Sequence, residues 1–331
     1  MRARYCKSPP TFVAHSSHSL TRSQAEDTPE EQQEFLEKLW AGKGFSLWLG
    51  GYKDYLFNAD SNRIVYVSAV PVTIPSFHHG SLTISKDFWR KKQSPRISDP
   101  RKKEILFPEQ PPHAFGIKRP CLEQNYYEVL ARDNVDIVNI NADTKYGTPI
   151  QEFTENGIIT SDGQHREYDI IALATGFDVV TGGMTSMGLK SVNGTYLQDE
   201  WKAAANTYLG TTISGYPNLF HLYGPHGPTL LSNGPSSVEI QGRWIRDAIK
   251  QITKQNLKYI DPTPEASKEW KKRINDLAEP TLFPTTKSTY MGGTVPGKAN
   301  EMTCYAGGVG TYNTEIRGKL AGFQGFETVK A

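Results

Sequence analysis

Residues 169–177 read DIIALATGF, and this stretch decides the fold that the sequence predicts. A run of apolar and small residues after an acid is typical of a buried strand, here over 169–174. The run ends in Ala174, Thr175, Gly176 and Phe177. Cofactors bind at the carboxyl ends of strands in open α/β sheets, and small side chains let the backbone approach a flat ligand closely. The stretch predicts an α/β fold with a cofactor beside this turn, and an ordinary strand-ending turn is the alternative.

A second strand, loop and helix are predicted over 215–255. PNLFHLY at 217–223 is a buried strand candidate, and a loop rich in Gly and Pro leads from it into a helix that opens at Ser236 and ends near Gln255. A helix N-terminus presents free N–H groups and the positive end of a dipole, which suits an anionic or electron-rich ligand. A helix cap that contains proline is the alternative. The helix carries apolar residues at helical spacing: Val238, Ile245, Ala248, Ile249 and Ile252.

Periodicity and turn signals predict the remaining elements. Strand candidates are 135–140, 150–153 and 157–160, with a turn at Asp162-Gly163. Helices are predicted from Thr28 to Gly42 and over 265–279, the second with Ala266, Trp270, Ile274 and Leu277 on one face. The C-terminal tail is rich in Gly and is predicted to be a loop.

Composition excludes several classes of function. The 331 residues include 37 Lys+Arg and 35 Asp+Glu, a balance that gives no global field for nucleic acid or acidic lipid. No apolar run approaches the ~20 residues of a membrane helix, and no G-x-S-x-G motif suggests a hydrolase. Three widely spaced cysteines favour a reducing, cytoplasmic setting. No metal site is predicted, because the adjacent histidines at 78 and 79 point apart and lack a flanking carboxylate or Cys.

Three longer stretches carry a resemblance to a known family. ALATGFDVVTG (172–182), TYLGTTISGYPNLFHLYGP (207–225) and SNGPSSVEIQGRWI (232–245) resemble the C-terminal part of Baeyer–Villiger monooxygenases, members of the flavin-containing monooxygenase superfamily. The similarity continues through GFSLWLGGYKDYLF, PPHAFGIKRPCLEQNYYEVLARDNVDIVNI and TLFPTTKSTYMGGTVPGK, and it covers most of the chain except 64–85. The fold that the resemblance implies is α/β: an incomplete flavoprotein with two dinucleotide-binding domains and a helical excursion.

The resemblance implies an activity and two cofactors. In that family NADPH reduces FAD, dioxygen is activated on the reduced flavin, and one oxygen atom is inserted beside a ketone carbonyl. By its motif GIKRP, Arg119 is the catalytic arginine, and Lys118 contacts the phosphate or ribose of NADP. A guanidinium stays charged at any working pH, and stabilising developing negative charge is a large catalytic term. The expected partners are a ketone and dioxygen, with no nucleic acid and no stable membrane insertion. A place in secondary metabolism is expected.

Further cofactor contacts follow from the same resemblance. RYCKSPPTFV near the N-terminus resembles the family's Phe-Gln-Arg-Thr-Pro segment, whose Arg and Thr grip the 2′-phosphate of NADP, and Lys7 and Ser8 stand at those positions. A basic, Ser-rich transit peptide is the weaker alternative, since Pro9-Pro10 breaks any helix there. The remaining predicted cofactor-binding residues are Ala174, Thr175, Gly176, Phe177, Gly224, Pro225, Ser232 and Asn233.

The chain also departs from the family pattern. It has no G-x-G-x-x-G turn and no F-x-G-x-x-x-H-x-x-x-W-P fingerprint. The expected organisation is the end of an NADP-binding domain at 1–24, a mostly helical subdomain at 25–133, and the C-terminal part of the dinucleotide-binding domains with a tail loop at 134–331. Such a chain could be a non-catalytic remnant, or a fragment that needs a separate N-terminal half.

Two local differences bear on the site and on the chain's origin. In the family loop Ser-Trp-Tyr-x-Gly-Ala-Asn-x-Pro-Gly-Lys, the Trp and Asn are replaced by Thr289 and Thr294, so we expect this lid to order less well over a ligand. Residues 64–85 interrupt the similarity with an uncharged, β-branched stretch. Our hypothesis is that they are a retained intron or a recent insertion, and sequencing the transcript would distinguish the two.

Overall fold

The computed structural model describes residues 90, 93–109, 113, 118, 123–279, 281 and 283–331. The predicted helix from Thr28, the 64–85 segment and the site residues Lys7, Ser8 and Arg119 lie outside the described residues. The chain divides into two compact units, the first formed by His79–Phe177 and the second including Asp178–Ala331. Within the described ranges, no helix combines the length and the apolarity needed to cross a bilayer.

The described residues of the first unit include two helices and a small sheet. Helix α1 spans Pro100–Leu106 and is capped by Asp99, whose carboxylate accepts from the Lys102 N–H; helix α2 spans Tyr126–Leu130. The strands are β1 (Ile150–Phe153), β2 (Gly157–Thr160) and β3 (His165–Glu167), paired antiparallel in that order. Gly163 turns between β2 and β3 at φ 78°. The predicted strands β1 and β2 and the Asp162-Gly163 turn are confirmed. The predicted strand at 135–140 is wrong, because only Asn139 forms a bridge there.

The opening stretch is not a buried strand. Residues 169–177 are extended but belong to no sheet, and Ile170, Leu173 and Phe177 are 84%, 73% and 90% exposed. A strand is stabilised by backbone hydrogen bonds to a neighbour, and the described residues place no strand beside this one. The apolar pattern is therefore present without the pairing that would bury it.

The second unit is built around two long helices. Helix α3 spans Gly182–Thr185, α4 Leu197–Glu200, α5 Gly234–Lys254, α6 Pro264–Ala278 and α7 Val309–Leu320. Strand β4 (Leu257–Pro262) pairs antiparallel with β5 (Phe326–Lys330). Asn233 and Thr263 cap α5 and α6, and a proline stands in the first turn of each. The two predicted helices are confirmed.

The apolar residues predicted for α5 are confirmed in part, because Ala248 is buried and Ile245 and Ile252 pack against the core, whereas Val238 and Ile249 are exposed. The buried stripe also includes Ser237, Ile240, Gln241 and Trp244. Two other predictions for this unit are wrong. Residues 217–223 form no strand, although the His221 N–H donates to the Thr211 carbonyl at 2.8 Å, as one rung of a ladder would. The tail is not a loop, because α7 packs against α5 and β5 completes a sheet with β4.

Gln241 joins three distant segments inside this core. Its side chain is fully buried. The Nε2 group donates to the Gly210 carbonyl and to the Tyr312 hydroxyl, both at 3.0 Å, and Oε1 accepts from the Tyr223 N–H at 2.8 Å. Tyr312 in turn donates to the Leu209 carbonyl at 2.7 Å. One amide therefore fixes α5, α7 and the extended segment before the Gly-Pro loop relative to one another.

Two histidines are buried beside the same loop. Burial lowers the pKa of His221 from its ordinary value of 6.5 to about 4. Burial, and to a smaller degree the nearby positive charge of Lys271, lowers the pKa of His226 to about 3. The His226 ring Nδ1 lies 3.1 Å from the Thr207 hydroxyl, and its backbone carbonyl accepts from the Trp270 indole at 3.3 Å. Both imidazoles are therefore neutral in the folded protein near pH 7.

Replacing Gln241 with Leu is expected to lower the free energy of unfolding by about 2–4 kcal/mol, because buried partners lose their hydrogen bonds while the side-chain volume is nearly kept. Chemical denaturation measures the change. Gln198→Leu, on the exposed surface of α4, is the matched control and should change stability little. Equal losses in the two variants would contradict the role given to Gln241.

Lowering the pH from 6.5 towards 4 is expected to destabilise the protein. The unfolded state takes up protons that neither His221 nor His226 accepts when folded, at about 1.4 kcal/mol per pH unit for each. Thermal melts across this range measure the effect. His221→Phe should remove about half of the part of the pH dependence that comes from the two histidines. The carboxyl groups contribute equally to both proteins, so their part cancels when the variant is compared with the wild type. An unchanged pH dependence in the variant would show that His221 titrates normally.

Candidate functional site

The Gly-Pro loop at 224–231 is held by contacts that only glycine permits. A Cβ on Gly224 would lie 2.5 Å from His221 Nδ1, and one on Gly227 would lie 2.7 Å from Gln241 Nε2. A Cβ on Gly210, which has φ 63°, would meet the Gly227 backbone nitrogen at 2.5 Å. The glycines therefore serve close packing of the protein against itself. Gly224 and Pro225 are both buried, which makes them supports of the site.

The loop delivers the chain into the N-terminus of α5. The Asn233 side chain accepts from the Ser236 N–H at 3.4 Å, and the Asn233 carbonyl accepts from the Ser237 N–H at 3.1 Å. The Ser232 hydroxyl bonds the Ser237 hydroxyl and donates to the Pro228 carbonyl at 3.0 Å. The expectation of free first-turn N–H groups is thus corrected for Ser236 and Ser237. What this end presents outward is the exposed Asn233, the half-buried Ser236 and the helix dipole.

His221 leaves hydrogen-bonding capacity unused behind the loop. Its ring is buried, and neither ring nitrogen has a hydrogen-bond partner among the described residues. Buried polar groups in proteins are almost always paired, so an orphaned imidazole marks a place where a water or a bound molecule completes the structure.

A second loop meets the turn that follows the Ala-Thr-Gly-Phe motif. Lys298 Nζ lies 2.9 Å from Asp178 Oδ2 and also bonds the Thr181 hydroxyl. The Thr181 hydroxyl lies 2.6 Å from Asp178 Oδ2, and the Thr181 N–H donates to Oδ1 at 3.1 Å. Burial acts to raise the pKa of the Asp178 carboxyl, but hydrogen bonds from Thr181 and Lys298 outweigh it and hold that pKa below its ordinary value.

The cavity between these segments is too small for a flavin. It has a volume of about 30 Å³ and is lined by Asp178–Thr181, Ala203–Ala205, His226 and residues of the 289–303 stretch. Such a space holds about one or two water molecules. This cavity therefore does not enclose a dinucleotide. In the described ranges no three His, Cys, Asp or Glu side chains converge to hold a metal ion.

The predicted site residues fall in both units. Lys118 and Ala174–Phe177 belong to the first unit and are exposed, with Gly176 at φ 84°. The second unit brings Gly224, Pro225, Ser232 and Asn233 together in one loop and helix cap. The sequence analysis gave no role to His221 or Asp178 and did not identify the partner of Lys298. The similarity to the family around Asp178 and Lys298 could have pointed to both residues, but nothing in the sequence indicated that they are in contact.

Comparisons with known proteins bear on both units. The chain is 44% identical over 97% of its length to the FAD-binding monooxygenase acrE of Aspergillus aculeatus, of which it covers 50%. It is 37% identical over 95% of its length to the cyclopentanone 1,2-monooxygenase of a Comamonas species, of which it covers 53%. No family model matches the chain.

A solved structure extends the likeness to the fold. The cyclohexanone monooxygenase from Rhodococcus sp. Phi1, bound to NADP+, superposes with a TM-score of 0.70 and 33% identity, covering 83% of this chain and 52% of that one. The chain spans about half the length of the curated relatives it matches. The similarity is too extensive to be limited to a shared fold, and it runs through both compact units. Over most of its length the chain is therefore similar to FAD-binding and Baeyer–Villiger monooxygenases, each of which it matches over about half of that protein's own length.

Proposed function

We propose that this chain is part of a cytoplasmic, FAD- and NADPH-dependent monooxygenase that inserts oxygen beside a ketone carbonyl, in secondary metabolism. The observation that carries the proposal is the 44% identity over 97% of the chain to an FAD-binding monooxygenase. Relatives named for cyclopentanone and cyclohexanone suggest a cyclic ketone as the substrate class. Bound FAD would supply the activation of dioxygen, after NADPH has supplied the electrons.

The polar end of α5 would hold one edge of the FAD. Asn233 is exposed there, and the Ser232 and Ser237 hydroxyls bond each other just beneath it. The positive end of the helix dipole favours negative charge at that edge. Behind it, the Gly227 contact with Gln241 keeps the loop fixed, so the polar groups are placed before a ligand arrives. The orphaned ring of His221 supports the same location, because it lacks a partner that a ligand or a bridging water would provide.

Arg119 would carry the catalytic charge. Its guanidinium remains protonated, presents a planar fork of donors and can stabilise an oxyanion as it develops. Lys118 beside it is exposed, as a residue that reaches for a cofactor phosphate or ribose must be. Lys7 and Ser8 would bind the 2′-phosphate of NADP, and Ala174–Phe177 would pass close to the dinucleotides. These roles come from the resemblance of the motifs and are proposals for this chain.

Lactone formation tests the proposed function directly. The chain from Met1 to Ala331, supplied with FAD, NADPH, dioxygen and cyclopentanone or cyclohexanone, is expected to form the corresponding lactone, measured by gas chromatography. Arg119→Ala should lower the rate by about 100-fold or more, since one oxyanion donor is removed. The rate of Arg119→Lys should lie between those of the wild type and Arg119→Ala, because lysine keeps the positive charge and loses the planar fork of donors.

Arg132→Ala is the matched control, because this arginine is exposed in the same unit and is given no role in the site. Its lactone yield should equal that of the wild type. No lactone above the Arg119→Ala background, from a protein that has folded and retained FAD, would contradict the proposed function.

A second candidate is that the polypeptide is non-catalytic alone and binds a separate N-terminal half. The exposed apolar stretch at 169–177 favours it, because Ile170, Leu173 and Phe177 face solvent almost fully. Contiguous exposed apolar surface and an unpaired extended segment are typical of a surface that another segment covers. Flavin binding without turnover, restored by adding that half, would support this candidate over the first.

The exposed stretch also makes a prediction for the isolated chain. Leu173→Ser is expected to reduce aggregation, measured by light scattering, without lowering the melting temperature, since Leu173 is 73% exposed. Ile274→Ser, at a fully buried position of α6, is the control and should cost about 2–5 kcal/mol in stability. A melting temperature lowered as much by Leu173→Ser as by Ile274→Ser would show that residue 173 is buried in solution.

A further inference from the structure

The Gly292–Lys298 loop projects from the core of the second unit. On its N-terminal side Tyr290 and Met291 are buried, and on its C-terminal side the Glu301 N–H donates to the Met291 carbonyl at 2.9 Å. Gly292 and Gly297 both have positive φ, at 65° and 82°, so the chain turns sharply at each end. Between those turns Thr294, Pro296 and Gly297 are exposed. The two flanks are therefore anchored, while the tip has little apolar burial of its own.

The inner side of this loop faces the small cavity rather than the packed core. Thr294 and Val295 line the cavity of about 30 Å³ opposite Ala203–Ala205 and the turn at 178–181. Backbone hydrogen bonds within the tip, Val295 N–H to Gly292 carbonyl at 3.4 Å and Lys298 N–H to Val295 carbonyl at 3.2 Å, close the loop on itself. They do not tie the loop tip to either opposite wall. Just after the loop, the Ala299 N–H donates to the Ala203 carbonyl at 2.8 Å, so the wall at 203–205 is joined by the backbone and the distance to the turn at 178–181 is left to a side-chain contact.

Lys298 makes that contact. Its side chain is 14% exposed and that of Asp178 is 25% exposed, so the ion pair is shielded from water more than the exposed i,i+4 pairs of α5 and α6. The geometry is a closed triad, in which Lys298 donates to Asp178 and to the Thr181 hydroxyl, and Thr181 donates to Asp178. Partial burial strengthens such a pair relative to a solvated one, and charge-assisted hydrogen bonds are the stronger kind.

The residues of the turn at 178–182, on the other side of the cavity, are arranged for the same contact. A Cβ on Gly182 would lie 2.9 Å from the Asp178 Cβ, so glycine at 182 leaves room for the Asp178 side chain. The Asp178 backbone carbonyl accepts from the Gly182 N–H at 3.1 Å, and Thr181 caps α3. The carboxylate is thus fixed by its own turn before Lys298 reaches it.

We infer that Lys298 is a positioning residue, which latches the Gly292–Lys298 loop across the cavity to Asp178 and Thr181. The latch sets how far Thr294 and Val295 stand from the turn at 178–181, while the Ala299–Ala203 hydrogen bond holds the end of the loop to the other wall. Asp178 directly follows the Ala-Thr-Gly-Phe motif in the chain, so the loop is tied to the residue next to a proposed cofactor contact. That link to the cofactor rests on the proposed function, whereas the latch itself does not.

Hydrogen exchange in the full chain, without FAD, tests the latch independently of activity. In Lys298→Met the amides of 292–299 are expected to exchange about tenfold faster, the size of one lost charge-assisted hydrogen bond. The amides of α6, at 264–278, should keep their wild-type rates. Asp178→Asn should accelerate exchange by a similar factor. In the double variant the acceleration should equal that of either single variant, because both substitutions break the same contact, and should not be the product of the two factors.

Lys298→Arg is the rescue variant and should return most of the protection, since it restores the positive charge. Lys272→Met is the matched control, since Lys272 forms an exposed pair with Asp276 at 2.6 Å on α6; it should leave the loop unchanged. Unchanged exchange at 292–299 in Lys298→Met, or equal acceleration across α6, would overturn the inference. A failed lactone assay with the expected exchange pattern would instead count against the proposed function alone.

Discussion

The second unit depends on one buried amide. Gln241 contacts a turn at Gly210, the extended segment at Tyr223 and the hydroxyl of Tyr312, which lie far apart in the chain. A buried amide with unmet hydrogen bonds is costly, so the three segments are stable only in the arrangement that satisfies it. Gly227 lies close to the same Gln241 side chain, and this contact restricts the Gly-Pro loop to one backbone course. The polar start of α5 is positioned as a consequence of that packing.

The proposed chemistry uses the arrangement in two ways. The Gly-Pro loop and the Asn233 cap present a fixed polar edge, while the Gly292–Lys298 loop is held by a partly buried ion pair. A rigid edge beside a loop that is held by few contacts suits a site that must bind a large cofactor and also admit a small substrate. Burial keeps His221 and His226 neutral near pH 7, so the positive charges in this unit's loops come from its lysines and arginines.

Local signals in the sequence predicted local structure well. The helices α5 and α6 were predictable because each has a cap, a proline in the first turn and a periodic face, all within one segment. The strands β1 and β2 were predictable because they form a hairpin with a nearby turn signal. The strand at 169–174 failed because burial depends on a neighbouring strand, which no local pattern supplies. Helix α7 was hidden because Val309, Tyr312 and Ile316 have helical spacing within a Gly-rich tail, and the glycines dominated the interpretation.

The same distinction between local features and long-range contacts applies to the candidate site. The Gly-Pro loop was predictable from its residue types, whereas the sequence analysis placed the start of α5 at Ser236 and the structure begins it at Gly234, with Asn233 as the cap. The latch was not predictable, since Thr181 and Lys298 are 117 positions apart and only folding brings them together. The orphaned His221 was equally hidden, because its lack of partners is a property of the packed core and not of the FHLYG stretch.

The most direct test of the central claim is hydrogen exchange of the chain with and without saturating FAD. The account predicts that the amides at 232–237 exchange more slowly when FAD is present, while those of β4 and β5 do not change. Protection confined to the β1–β3 sheet, or no protection at 232–237, would contradict the assignment of the flavin edge to the start of α5.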